Sequence, residues 1–267
     1  MHALRRPAAA LGGLLAGALL TIVGETMART PDAKAPQDAP AAKTVPPGFA
    51  DGDDVVFFGD SITHHNHYVG ETTLFYATRY PACPVRFHNA GVGGNRVGSA
   101  MARFRQDVVA AKPEWVLVLL GMNDGGRGQA DEQKYLTRYR QGMEGMLQRI
   151  EKETGAKVLF LLPTMFDYRK AVAVSGKEDP VGKDYNARLV RFGDVLEELA
   201  HEHDLSTVDL NAPMVRVAEQ MRKKDPKASL TKEGVHPTPA GHVVMTYALL
   251  KGLGATPIVS AVTVDAK

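Results

Sequence analysis

The sequence predicts an α/β fold, a three-layer α/β/α sandwich around a five-stranded parallel sheet. Two patterns predict it. Short apolar runs recur along the chain and are continuous rather than alternating, as strands covered on both faces require. The segments between them carry apolar residues at helical spacing, and repeated strand–helix–strand units build a parallel sheet through right-handed crossovers. A third pattern says where chemistry lies. Glycine and polar residues concentrate directly after the runs, at the carboxyl ends of the strands, where open α/β sheets place their sites.

Val55-Val56-Phe57-Phe58 forms the first run and Gly59 ends it. Val85 to His88 is a second, weaker one. Trp115 to Leu120 is the third, stopped by Gly121, and Val158 to Leu162 the fourth, stopped by Pro163. Thr207 to Leu210 is the fifth. Between them, Ala130 to Glu153 sets Tyr135, Tyr139, Met143, Met146, Leu147 and Ile150 on one stripe of a helix. Asp184 to His203 does the same with Leu189, Phe192, Leu196 and Leu199. Pro239 to Leu250 is an apolar helix with Pro239 in its first turn and Thr238 placed as its N-cap.

Charge narrows the class of partner. The 267 residues hold 32 Lys and Arg against 30 Asp and Glu, a formal charge of +2. All of that excess lies in the first 50 residues, where Arg5, Arg6, Arg29, Lys34 and Lys43 face Glu25, Asp32 and Asp38. A neutral body carries no electrostatic footprint for nucleic acid. The lone cysteine, Cys83, excludes an intramolecular disulfide and any multi-cysteine metal site. It reads as an inert structural thiol.

Residues 1–28 read as a signal peptide. Arg5 and Arg6 precede an uncharged apolar run from Ala8 to Val23, shorter than the ~20 residues of a membrane-spanning helix, with small residues near Ala28 suited to cleavage. An uncleaved anchor is the alternative. Residues 29–50, rich in Ala and Pro, read as a linker. The folded domain is expected at 51–260, followed by a tail at 261–267. Export to the periplasm or the extracellular space follows, with a stable membrane partner expected only where the N-terminal segment stays uncleaved.

Four segments carry the polar residues: Gly59-Asp60-Ser61, Gly91 to Asn95, Gly121-Met122-Asn123-Asp124, and Glu233-Gly234-Val235-His236-Pro237. Singly each is a turn signal, and the glycines spell neither a dinucleotide fingerprint nor a phosphate loop. Together, in this order and after these elements, they resemble the four motif blocks of the SGNH/GDSL hydrolases, a family of esterases and lipases. The resemblance spans residues 59 to 237. It implies a flavodoxin-like sandwich and hydrolysis of acyl esters with neither metal nor organic cofactor.

By that resemblance Ser61 is the nucleophile and His236 its base. The oxyanion donors are the backbone N–H of Ser61, the N–H of Gly94 and the side-chain amide of Asn123, with Gly93 the alternative glycine. The third catalytic position departs from the family, since Glu233 stands where Asp is usual. Glu can still hold an imidazole tautomer, and the alternative is that a backbone carbonyl does so. Asp60 and Asp124 are expected to hold turns. Asn95 and Arg96 border the expected pocket and are candidate substrate contacts, Arg96 being equally placed to begin a helix.

His64, His65 and His67 crowd behind Ser61, but their spacing does not match a helical zinc pair, and a polar pocket rim is the better reading. His201 and His203 read as a solvated helix end. Thr164 to Gly182, with Met165, Phe166, Asp167, Tyr168 and Arg169, is a connection long enough to be a specificity loop, or else a disordered surface excursion. Tyr185 and Asn186, at the start of the next helix, are capping or pocket residues. The expected activity is removal of a short acyl group, acetyl first, from a carbohydrate or related polyol, the partner being that small-molecule or glycan ester. A lysophospholipase or lipase of the same fold, and a catalytically silent carbohydrate-binding module, are the alternatives.

Overall fold

A computed structural model of the chain describes residues 48–126, 132–178 and 180–256. The expected signal peptide, nearly all of the linker and the C-terminal tail lie outside the described residues. Among the described residues no helix is long and apolar enough to cross a membrane.

Five parallel strands form one sheet: β1 (Asp54–Gly59), β2 (Arg86–Gly91), β3 (Trp115–Leu119), β4 (Lys157–Leu161) and β5 (Ser206–Val208). Their spatial order is β2-β1-β3-β4-β5. The order reverses between β1 and β3, so the ends of these two strands flank the crevice in which doubly wound sheets bind ligands. Consecutive residues Val55 to Phe58 and Val116 to Val118 are fully buried, so helices cover both faces. One group comprises α2 (His67–Arg79), α8 (Asn211–Arg222) and α9 (Pro239–Gly252), and the other α3 (Val97–Asp107), α4 (Glu132–Thr154) and α7 (Tyr185–Glu202). Thr238 caps α9 as expected, its hydroxyl accepting the Gly241 N–H at 3.2 Å.

The structure corrects several boundaries. β2 starts one residue later than Val85 and runs on to Gly91, which pairs with Gly59. It is an edge strand, and its polar residues find partners sideways: Arg86 Nε donates to Asp54 Oδ1 at 2.9 Å, and His88 Nε2 lies 2.7 Å from the same oxygen. β5 stops at Val208 because Asp209 leaves the sheet to cap α8, accepting the N–H groups of Asn211 at 2.7 Å and Ala212 at 3.1 Å. The connection after β4 is no excursion. It folds as α5 (Tyr168–Ser175) and the single turn α6 (Pro180–Lys183).

The folded body also begins ahead of Asp51. Phe49, placed in the linker by composition, is 2% exposed. Its ring lies 5.5 Å from Tyr76, 5.8 Å from Phe87 and 5.5 Å from Trp115, a cluster at the amino ends of the strands. An Ala- and Pro-rich composition conceals a single aromatic anchor.

The turn after β1 is fixed by Asp60, the N-cap of α1 (Ser61–His64), whose Oδ1 accepts the Ile62 N–H at 2.9 Å. Asp124 does the same for α3, accepting the Val97 N–H at 3.0 Å. Both hold turns, as expected. Burial, with the Asp124 charge adding, pushes the Asp60 carboxyl up to about 7 from its ordinary 3.8.

Two outcomes follow from this packing. Phe49→Ala should cost about 3–5 kcal/mol, in the range of buried aromatic truncations, measured by urea unfolding. The folded state holds the Asp60 proton more tightly than the unfolded chain does. Between pH 4 and about 7 this carboxyl therefore removes stability as pH rises. Asp60→Asn cannot ionise, so its Tm should gain on wild type across that window. A Tm difference independent of pH would refute the buried acid.

Candidate active site

The four polar segments converge at the carboxyl edge of the sheet. Ser61, first residue of α1, sits beyond β1, and His236 precedes α9, 175 positions later. His236 Nε2 lies 2.9 Å from Ser61 Oγ. The other ring nitrogen, Nδ1, contacts Glu233 Oε1 directly. That same oxygen accepts the backbone N–H of His236 at 2.9 Å. A carboxylate there favours the tautomer with the proton on Nδ1, leaving Nε2 free to take a proton from the hydroxyl.

The loop that achieves this is closed on itself. Thr231 and Pro237 form an antiparallel bridge, and Lys232 N–H donates to His236 O at 2.8 Å. The longer Glu side chain is accommodated by curling back over three residues. Gly234 makes the tip possible. Its φ is +99°, and a Cβ there would lie 2.7 Å from Ala171 Cβ and 2.9 Å from Asp167 O.

Asn123 follows β3. Its Nδ2 donates to Asn95 O at 3.0 Å and reaches Asp60 Oδ2 only at 3.5 Å. The second N–H is thus weakly engaged. Gly94 (φ +72°) lines the same cavity as Ser61 and Asn123, and Gly93 does not. Asn95 does not line this cavity. It is buried, and its Oδ1 accepts Arg103 Nε at 2.7 Å, so it positions Asn123 through its backbone oxygen. Arg96 is the N-cap of α3 and stays off the main cavity, lining a smaller neighbouring one with Gly94 and Asn123.

The three histidines behind Ser61 diverge. His64 Nδ1 lies 3.1 Å from Gly91 O. The His65 ring packs on His236 with centroids 4.9 Å apart, and the His67 ring packs 4.9 Å from His242. His242, inside α9, was not singled out by the sequence. Its fully buried ring is pushed down to about 3, burial being the largest cause, and stays neutral. Among the described residues no group of three or more His, Cys, Asp or Glu is arranged to hold a metal ion.

Ser61, Gly94, Asn123, Glu233 and His236 open onto a cavity of about 670 Å³, a size that suits a small organic ligand. Its apolar wall is α5 with Phe166, Tyr185 and Val235. Tyr185 is thus a pocket residue, its hydroxyl donating to Met122 O at 2.5 Å, while Asn186 holds the loop by accepting the Phe166 N–H at 2.8 Å. Sequence reasoning flagged Phe166 and Tyr168 but missed Ala171, Val172 and Val174. The 168/171/172/175 spacing of the residues lining the cavity is helical, a signal too brief to stand out inside a connection.

A family model of the GDSL-like lipase/acylhydrolase family matches residues 57–244, well over half of the chain. An acetylxylan esterase from Geobacillus stearothermophilus is 26% identical over 76% of this chain and 94% of its own length. Among solved structures, a gut microbial diltiazem-metabolizing enzyme superposes with TM-score 0.69 and 28% identity over 79% of this chain. The present chain spans about half (48%) of that protein. A catalytic mutant of the Geobacillus stearothermophilus acetylxylan esterase gives TM-score 0.64 over 80% of this chain and all of its own, at 24% identity, and so speaks to the fold. The extent of the family match, on a five-stranded sheet with the four motif segments at one edge, makes this chain a member of the GDSL-like lipase/acylhydrolase family and a hydrolase of carboxylic esters.

Proposed function

We propose that the protein is an exported serine esterase that removes short acyl groups, acetyl first, from carbohydrates or related polyols. The observation that carries the mechanism is the line Glu233–His236–Ser61, with Ser61 Oγ 2.9 Å from His236 Nε2. Ser61 attacks the ester carbonyl while His236 takes its proton, the arrangement that makes a hydroxyl an effective nucleophile. The negative charge that develops on the carbonyl oxygen is met by the N–H groups of Ser61 and Gly94 and by the loosely engaged amide hydrogen of Asn123. His236 then returns the proton to the departing alcohol, and water repeats the sequence on the acyl-enzyme. Glu233 orients the imidazole and balances the charge it acquires.

The acyl preference draws on the similarity to an acetylxylan esterase. The export reading rests on Arg5, Arg6 and the apolar run Ala8–Val23, which lie outside the described residues. Mass spectrometry of the protein recovered from an exporting host should find a new N-terminus near Ala28.

Ser61→Ala should abolish hydrolysis of p-nitrophenyl acetate and labelling by a fluorophosphonate probe. Asn123→Ala should lower kcat by about 10²–10³. Glu233→Ala should lower kcat far less than Ser61→Ala does, since the nucleophile, its base and the oxyanion donors remain. The acetate ester should be cleaved faster than the palmitate. Activity retained in Ser61→Ala would refute the mechanism, and a preference for palmitate would favour a lipase.

A further inference from the structure

We propose that the alcohol half of the substrate carries an apolar group, an aryl or alkyl substituent, which seats against the wall formed by α5. The inference rests on Ser61 and His236 acting as described above, and it specifies the leaving-group side of that site.

The side is fixed by proton transfer. His236 must deliver a proton to the departing oxygen, so the alcohol leaves past His236, while Gly94 and Asn123 hold the carbonyl oxygen. Val235 neighbours the imidazole in the chain. Gly234 brings α5 to the same place, because only its missing Cβ lets Ala171 and the Asp167 carbonyl approach so closely. Asp167 N–H also donates to Gly234 O at 2.8 Å. The wall on the His236 side is therefore α5 and Val235.

That wall is apolar and anchored. Ala171, Val172, Val174 and Val235 face the cavity, with Phe166 and Tyr185 beside them in edge-to-face contact at 5.2 Å. The polar groups on this side are few: the Tyr168 hydroxyl at the start of α5, Ser175 and, just beyond the helix, Lys177. Ser175 Oγ is engaged with the backbone of Lys177 at 3.2 Å, and Lys177 is exposed. A ring of hydroxyls pressed against this wall would lose water without gaining partners, whereas a hydrocarbon group gains. Val174 is 58% exposed, an apolar side chain open to solvent beside the site. The wall does not drift. Asp167, 3% exposed, caps α5 through Lys170 N–H at 3.2 Å, accepts Ser229 Oγ–H at 2.6 Å and is paired with Arg222 of α8.

Two substrates separate the wall from the chemistry: phenyl 6-O-acetyl-glucoside and methyl 6-O-acetyl-glucoside. The ester and the leaving oxygen are the same in both, and only the distant aglycone differs. The wild-type protein should prefer the phenyl compound by about tenfold or more in kcat/KM, the discrimination an apolar subsite supports. Val172→Asp should bring that ratio close to one. Val172→Thr, which keeps the shape and adds a hydroxyl, should lower it part of the way and guards against misfolding of the charged variant. Equal rates on the two substrates in wild type would overturn the proposal, as would a preference that both variants leave intact. Ser61→Ala serves as the separate control. If it still hydrolysed both compounds, the nucleophile assignment would fall, whatever the ratio.

Discussion

One oxygen of Glu233 receives two donors from His236, its backbone N–H and its imidazole nitrogen. The arrangement of the site depends on this clamp. A histidine free to rotate about χ1 and χ2 would meet Ser61 only part of the time. Here the backbone that carries the ring and the ring itself are tied to the same atom, within a loop closed by the Thr231–Pro237 bridge. Family sequences usually have Asp at this position, and the extra methylene of Glu is absorbed by the curl of the chain. Glu233, His236 and the glycine that permits the curl thus form one short unit.

The other half of the site is supplied by the sheet. Ser61 and Asn123 stand at the carboxyl ends of neighbouring strands on either side of the point where strand order reverses. Strand pairing brings the two ends together, and the turn after β3 carries Asn123. Asp60 and Asp124 each give a carboxyl oxygen to an N–H at a helix start, which ties the turns that leave the sheet. Asn95 and Arg103 complete the support beneath the Asn123 amide.

Much of this was legible in the sequence because it is local chemistry in a fixed order. The apolar runs gave the strands, and the residues after them marked the edge that carries Ser61, Asn123 and His236. What was not legible depends on distant partners. Asn95 reads as a pocket residue until Arg103, eight positions on, is found holding its side chain. α2 is a helix rich in Thr and aromatic residues, whose formation owes more to packing of Tyr68, Val69, Thr72 and Tyr76 than to propensity. α5 is eight residues long, too short for a periodic signal, and takes its meaning from Gly234 sixty positions away. Phe49 was hidden in a segment whose average composition is that of a linker.

That aromatic has a topological consequence. Phe49 is rooted among Trp115, Tyr76 and Phe87 at the amino ends of the strands, while Ser61 stands at the carboxyl ends. The polypeptide therefore enters the body at the pole opposite the mouth of the cavity. The described residues thus begin at one end of the sheet and carry the cavity at the other.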